Sequence, residues 1–400
     1  MDGRAAAGQV RDSEEGALVA AVAGAVLLRP GTGGLWFRPA GAAWVDVGGD
    51  KEVFPTLVRS SAIGAAVRVG GRFVALGSVR GGGTEEGPAL WTSSDARTWT
   101  RSAPFATGSV EEVTAFGSDL VAAGTDRNAA GESVASTWVS TDDGSTWERV
   151  GAGNPAFRIR QTTQIFGVTA AGPGLVAVGL SYENGGIDAH AWTSADGRSW
   201  RRSVDPPAWS GVGDEVLGTA CPLPGGGVVA LGTVTVAGEQ DAWAWVSSDG
   251  VNWERATGPG ASSLAGAGLQ FPADCAPTGT GVLVTGTMAG DGQSDGVLWF
   301  TADGRTWTAS PFAGPADEGL YGIDVDGARV VLTGREGDDL TVFTSSDGGS
   351  TWDKRTALGF AVPGYQTGYP VIAGDEVMLA GRDGASAAVW VGPAPDATNR

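Results

Sequence analysis

Short bursts of β-forming residues, broken by glycine, aspartate and proline, follow one another along most of this chain. The apolar run Ile165-Phe-Gly-Val-Thr-Ala-Ala171 meets a tight turn at Gly172-Pro-Gly174 and continues as Leu175-Val-Ala-Val-Gly179. A polar segment follows, then a third run around Trp192-Thr-Ser194, a turn at Asp196 and a last short run from Trp200. Such runs read as strands, and closely spaced turns join them as antiparallel neighbours. Four runs per repeat predict a four-stranded meander. One meander leaves apolar side chains uncovered on both faces, whereas meanders set radially about an axis cover one another. The pattern therefore predicts an all-β fold, a β-propeller of four-stranded antiparallel blades.

The string Trp-x-Ser/Thr-x-Asp-(Gly)-x-Ser/Thr/Asn-Trp carries the repeat. It occurs as Trp91-Thr-Ser-Ser-Asp95-Ala-Arg-Thr-Trp99, Trp138-Val-Ser-Thr-Asp142-Asp-Gly144-Ser-Thr-Trp147 and Trp192-Thr-Ser-Ala-Asp196-Gly-Arg-Ser-Trp200. It returns as Trp245-Val-Ser-Ser-Asp249-Gly-Val-Asn-Trp253, Trp299-Phe-Thr-Ala-Asp303-Gly-Arg-Thr-Trp307 and Phe343-Thr-Ser-Ser-Asp347-Gly-Gly349-Ser-Thr-Trp352. Trp36 to Trp44 is a decayed copy without the aspartate, and Trp390 begins a truncated one. In the turn between third and fourth strands, the Asp and Ser/Thr oxygens accept backbone N–H groups. The closing indole covers the hairpin and packs on the next repeat, burying ~150–250 Å². Asp95, Asp142, Asp196, Asp249, Asp303 and Asp347 are thus read as structural, with Trp99, Trp147, Trp200, Trp253, Trp307 and Trp352.

Counting from Ala17 gives eight blades. The last, Tyr369–Val391, lacks a fourth strand that Gln9-Val-Arg-Asp-Ser13 would supply. Seven is the alternative, with residues 1–34 outside the ring and Ala43-Trp-Val-Asp-Val47 closing it. Residues 1–16 form an N-terminal segment, 17–392 a single propeller domain and 393–400 a tail. The apolar run 17–28 is too short for the ~20 residues of a membrane span. Its flank carries Asp12, Glu14 and Glu15 where a signal peptide is basic, so it reads as two strands joined at Ala23-Gly24.

The copies Ser140-x-Asp142-x-Gly144-x-Thr146-Trp147 and Ser345-x-Asp347-x-Gly349-x-Thr351-Trp352 above all resemble the Asp-box (BNR) repeats of sialidases. Similar repeats occur in sortilin-type receptors, some endoglucanases and a photosystem assembly factor. The resemblance covers roughly residues 17–392 and looks nearest to exported bacterial propellers of this type. It implies the fold but no one activity, because the family mixes hydrolases with non-catalytic binding propellers.

Composition narrows the chemistry. The chain has 67 Gly, and each would cost a helix about 1 kcal/mol relative to Ala. The formal charge of −19 opposes nucleic acid and anionic lipid. One His and 2 Cys exclude multi-His and cysteine-based zinc sites, so no metal or cofactor is expected. Cys221 and Cys275 stand in the same register of consecutive repeats and are a disulfide candidate, which implies an oxidising compartment. His190 aligns with Trp243 and reads as a packed or surface residue.

First-to-second turns and Asp-box turns are tight and lie on one face; the second-to-third loops and the inter-blade connections are long and lie on the other, over the central channel, and that face is where a site is expected. These loops all carry acids, among them Glu85, Glu86, Asp126, Glu132, Glu183, Asp188, Glu239, Asp241, Asp291, Asp295, Asp338, Asp339 and Asp383. They form an acidic rim or simply solvate the loop tips. Aligned first-strand positions add a partly aromatic collar in which Glu111, Phe166, Phe271, Tyr321 and Tyr369 are channel-mouth binding candidates.

A sialidase-like enzyme needs an arginine cluster, a Tyr–Glu pair and an acid. Phe157-Arg-Ile-Arg160 lacks the proline of the family's motif and falls between later boxes, and none of Tyr182, Tyr321, Tyr365 and Tyr369 matches the nucleophile's context. The sequence therefore favours a non-catalytic, exported, monomeric propeller that binds a protein or glycan, with a sialidase-like glycoside hydrolase as the alternative. No catalytic residue is assigned.

Overall fold

The computed structural model describes residues 25–28, 36–39, 45–46 and 59–395, the last stretch with gaps at 70, 82–83, 96–98, 103–107, 129, 152–153, 159–161, 173, 184–185, 204–212, 267, 291–292, 312–317, 337–338, 356–365 and 384–385. Every sheet is an antiparallel meander, numbered here in chain order. Sheet 1 (25–46) and sheet 8 (366–393) have three strands. Sheets 2 (59–102), 3 (109–149), 4 (163–202), 5 (214–255), 6 (269–311) and 7 (318–355) have four strands in sequential order.

The fold is an all-β propeller with four-stranded antiparallel blades. Among the described residues six blades are complete, which corrects the expected eight and the alternative seven. Among the described residues sheet 8 has three strands, the last reaching Pro393, and sheet 1 pairs Ala25–Leu28, Trp36–Pro39 and Val45–Asp46. Residues 9–13, expected as a closing strand, and the Ala23-Gly24 turn lie outside the described residues.

The chain divides into two compact units, Gly108–Tyr321 and Met1–Thr107 with Gly322–Arg400. In the first of these, consecutive sheets share cores. Val121, Ala123 and Val139 of sheet 3 pack with Ile165, Leu175, Ala177 and Trp192 of sheet 4. Val176, Val178 and Ala191 of sheet 4 pack with Ala230, Val234 and Trp245 of sheet 5. In the other unit, Phe73, Ala75, Trp91 and Trp99 of sheet 2 pack with Val371, Met378 and Ala380 of sheet 8, so chain segments far apart in sequence share one core.

Two tryptophans per repeat enter the same core with different hydrogen-bond anchors. The first, at Trp91, Trp138, Trp192, Trp245 and Trp299, is among the largest fully buried side chains. Trp192 donates its Nε1–H to Ala156 O (2.9 Å) and Trp299 to Ser263 O (3.0 Å), both in short 3-10 helices between sheets. The closing tryptophan packs on the preceding sheet, not the next as expected. Trp200 joins the core shared with sheet 3, Trp253 that with sheet 4 and Trp307 that with sheet 5. Its Nε1–H donates to the turn glycine's carbonyl, which folds the indole back beneath its own turn.

The second-to-third loops also depart from expectation. The strands Gly174–Glu183 and Gly186–Ser194, and Val228–Val236 and Glu239–Ser247, run almost to their hairpin tips. Alternating β-branched residues such as Thr233-Val-Thr-Val236 favour the extended ladder, so tight hairpins replace long loops. The longer connections run between sheets, at 150–162, 203–213 and 256–268.

Cys221 and Cys275 form a disulfide between the first strands of sheets 5 and 6, with Cα atoms 6.1 Å apart. Their registers differ by one residue. Cys275 lies opposite Val284, which pairs with Trp299, whereas the position equivalent to Val284 in sheet 5 is Ala230, opposite Ala220. A one-residue offset turns a side chain to the other face of its strand. Identical registers would aim both thiols the same way, whereas the offset lets the two facing sheets present them to each other. The bridge closes a separation of 54 residues. Reduction, or Cys221→Ser, is expected to lower stability by about 4 kcal/mol in the chain-entropy model. Urea unfolding with and without reductant measures this, and coincident curves would show that the bridge does not contribute.

Candidate functional site

The aspartate turns repeat one hydrogen-bonding scheme. Ser140 Oγ donates to Asp142 Oδ1 (2.8 Å) and accepts from Gly144 N (2.9 Å), while Asp142 Oδ1 accepts from Thr146 N (2.7 Å) and Oδ2 from Thr146 Oγ1 (2.6 Å). Asp196 is held by Ser199, Asp249 by Asn252, Asp303 by Thr306 and Asp347 by Thr351 in the same manner. Asp95 accepts from Ser93 Oγ at 3.0 Å. Each carboxylate is therefore engaged within its own turn. The Thr146 hydroxyl and amide lower the pKa of Asp142, and the Thr351 hydroxyl and amide lower that of Asp347. The amide of Asn252 leads the lowering of Asp249 to about 2. Gly250 has φ 71°, and a Cβ there would stand 2.8 Å from Thr193 of sheet 4, so the turn needs glycine for conformation and for close approach. Of the closing residues, Trp99, Trp200, Trp253 and Trp307 are buried, and Trp147 and Trp352 half-buried.

A different group of carboxylates lies along the inner edge of the unit Gly108–Tyr321, on the first strands of its sheets. Each of these strands bulges at a corresponding place, between Val110 and Glu112, Ile165 and Gly167, Leu217 and Thr219, and Pro272 and Asp274. A bulge adds a residue and re-aims its neighbours. The residues just beyond it are Glu112, Gly167, Thr219 and Asp274. Glu112 keeps some solvent-accessible surface, but the packed edge withdraws water from its carboxyl, and burial pushes its pKa up to about 8. The negative charges of Asp274 and, less strongly, Glu111 push the same way, against one hydrogen bond from Val113 N to Glu112 Oε1 (2.9 Å). Asp274 is fixed by Cys275 N donating to Oδ1 (2.8 Å), beside the disulfide, and its carbonyl accepts from Thr285 Oγ1. None of the four strands contains Lys or Arg. In the other unit, Asp324 of sheet 7 is raised to about 6 by burial, although it accepts Ile372 N of sheet 8 (2.6 Å).

The channel-mouth candidates do not share one register. Glu111 and Phe166 are themselves the bulged residues, whereas Phe271 pairs with Thr287 before its bulge and Tyr369 pairs with Ala380 in a strand without one. Glu111 is exposed, and Phe166, Phe271, Tyr321 and Tyr369 are half-buried. His190 is buried and hydrogen-bonded to Ser181 at 2.8 Å. Asp126 is not a rim acid but is buried in an ion pair with Arg149. Glu132, Glu239 and Asp295 are exposed, and Asp188 and Asp241 half-buried. The side chains of Glu85, Glu86, Glu183, Asp291, Asp338, Asp339 and Asp383 lie outside those described. Sequence reading missed Glu112 and Asp274 because the bulge, invisible in a simple period-two alignment, decides which residue faces inward. No helix among the described residues is long and apolar enough to cross a membrane, and no group of three or more metal-ligating side chains occurs among them.

No protein-family model and no curated protein sequence matches the chain. Among solved structures, it is similar to a polysaccharide lyase described as a PL25 ulvan lyase, at 12% identity and TM-score 0.53, over 84% of this chain and 94% of that one. It is also similar to Trypanosoma rangeli sialidase in complex with sialic acid, at 14% identity and TM-score 0.47, over 90% of this chain. The chain spans just over half of that sialidase, 56% of its length. The β-propeller domain of the Trilobed protease from Pyrococcus furiosus is a third, at 9% identity and TM-score 0.48, over 85% of this chain and 100% of that one. These likenesses are to propellers and concern the fold.

Two outcomes follow. Asp249→Ala is expected to cost about 1–2 kcal/mol at pH 7 through lost turn hydrogen bonds. A lowered carboxylate contributes its stability above the ordinary range and loses it as pH falls, so the gap to wild type should narrow between about pH 4 and 2. Urea melts at several pH values measure both effects. Glu112 has the opposite sign. Its contribution is complete at acid pH and lost as pH rises through about 8. Glu112→Gln should remove the decline in melting temperature between about pH 4.5 and 8, and superimposable wild-type and mutant profiles would refute the assignment.

Proposed function

We propose that the chain is a carbohydrate-directed propeller acting from the inner edge of the unit Gly108–Tyr321, with Glu112 and Asp274 as a paired-carboxylate centre for glycoside cleavage. The carrying observation is that burial, seconded by the negative charge of Asp274, pushes Glu112 toward its protonated form. Two carboxyls whose environments separate their roles are the working pair of glycosidases. Glu112 would give its proton to the glycosidic oxygen as the C–O bond breaks. Asp274 would take a proton from the water that attacks the anomeric carbon, so one water is consumed and each carboxyl then exchanges its proton with solvent. The acids and the lack of basic residues on these strands favour a neutral or cationic sugar over the carboxylated sugar of a sialidase.

The second reading is non-catalytic binding of a protein or glycan at the same edge. The bond from Val113 N to Glu112 Oε1 favours it, because it turns one carboxyl oxygen back onto its own strand. On this reading the aspartate turns act as structural clamps of Asp-box type and the chain works as a monomer, and the disulfide supports an oxidising, extracytoplasmic compartment.

A panel of uncharged and amino-sugar fluorogenic glycosides, assayed from pH 4 to 9, separates the readings. Cleavage is expected to fall at least ~100-fold in Glu112→Gln and in Asp274→Asn. Glycan-array binding that is lost in Asp274→Asn, with no turnover by wild type, would establish the second reading instead. Neither turnover nor binding would reject both.

A further inference from the structure

The fourth strands carry basic residues opposite the buried aromatics of the third. Arg149 pairs in register with Trp138, Arg202 with Trp192, Arg255 with Trp245 and Lys354 with Phe343. Two of these arginines stand near a buried carboxylate and treat it differently. In sheet 3, Arg149 forms an ion pair with Asp126, which is 3% exposed, and also donates to Arg127 O (3.2 Å). The path from Arg149 to Asp126 passes Ser136, a small side chain opposite Gly124.

In sheet 5 the equivalent of Ser136 is Trp243, opposite Gly232. Arg255 rests on that indole, with Cζ 3.0 Å from the ring centre. The carboxylate beyond it is Glu215, which shares a cross-strand row with Val234 and Asp241. Glu215 is 0% exposed, and neither of its carboxyl oxygens has a hydrogen-bond partner among the described residues. An unpaired carboxylate in such a place is costly, and a neutral carboxyl much less so. The charges around it are few. Asp188 of sheet 4 disfavours ionisation and Arg255 favours it. Asp241 acts on Arg255, and Asp214 is engaged by Ile187 N at 3.0 Å. His190 is hydrogen-bonded to Ser181 and lies against Trp192, in the core shared with sheet 3.

We propose that Glu215, Arg255 and Trp243 form a proton-controlled latch, in which Arg255 rests on Trp243 while Glu215 is protonated and leaves the indole for the carboxylate once the proton passes to solvent. Burial places the exchange near neutral pH, at about 7. Trp243 competes with Glu215 for one guanidinium, a competition that Ser136 does not offer in sheet 3. The latch lies in sheet 5, which packs on sheet 4, and the hairpin tips of these two sheets carry Tyr182 and Val236, exposed large hydrophobics among the described residues, so ionisation would rearrange the support of that edge.

The test uses the full chain. Tryptophan fluorescence from pH 5 to 9 should show a transition near pH 7 that is absent in Glu215→Gln, a nearly isosteric change. Arg255→Met keeps the carboxyl but removes the moving group, so its melting temperature should still titrate while the fluorescence transition disappears. Trp243→Ser should free Arg255 for pairing and shift the melting midpoint downward by about one pH unit, a tenfold change in proton affinity. A merely structural role for these residues would not move that midpoint downward. A fluorescence transition that persists in Glu215→Gln or Arg255→Met, or a midpoint that stays or rises in Trp243→Ser, would overturn the latch.

Discussion

The bond from a closing indole to the carbonyl of its turn glycine is the constraint on which the blades depend. It appears at Trp147, Trp200, Trp253 and Trp307 at 2.8–3.1 Å. An indole folded beneath its own turn presents its apolar face to the preceding sheet, where Val121 and Val139, or Leu223 and Val246, receive it. The glycine cannot carry a side chain because the same neighbours already fill that space. Turn geometry, sheet spacing and core composition are thus set by one recurring contact. The aspartate satisfies the amides that the turn leaves unpaired, so the polar cost of so tight a corner is met locally.

With the turn acids committed to their own turns, the proposed chemistry falls to positions where the repeat is irregular. The bulges do this on the inner edge. By adding a residue to each first strand, they set Glu112 rather than Glu111 opposite Ala123 and Asp274 rather than Ala273 opposite Thr285. Three carboxyls among the described residues share one electrostatic tendency. Glu112, Glu215 and Asp324 are all pushed toward the neutral form by burial. In a chain of net charge −19, retaining these protons also moderates repulsion within the fold.

The blade was legible in the sequence because turn chemistry and strand period agree there. The Trp-x-Ser-x-Asp string carries its own hydrogen-bonding instructions, and Val-Ala-Val runs carry the pleat. What escaped depends on geometry that the period does not encode. The one-residue offset of Cys221 and Cys275, the direction in which the closing indoles pack, and the hairpins that replaced the expected loops arise from relations between sheets. Strand number at the ends was also hidden, since Trp36–Trp44 and the segment after Trp390 lack the aspartate that marks a complete turn. Glu215 gave no signal at all. It stands in an ordinary strand, Asp214–Pro222, and its burial comes from the packing of sheet 4 over sheet 5.

The core that joins Phe73 and Trp91 to Val371 and Met378 has a consequence for the order of assembly. Sheets 3 to 6 are contiguous in the chain, so each finds its partner as soon as the next repeat is made. Sheet 2 is synthesised before all of them, yet its apolar face waits for residues that follow position 366. During synthesis, or threading through a translocation pore, that face stays uncovered for the passage of most of the polypeptide. Until the last repeat arrives, this face is the part of the chain most open to aggregation.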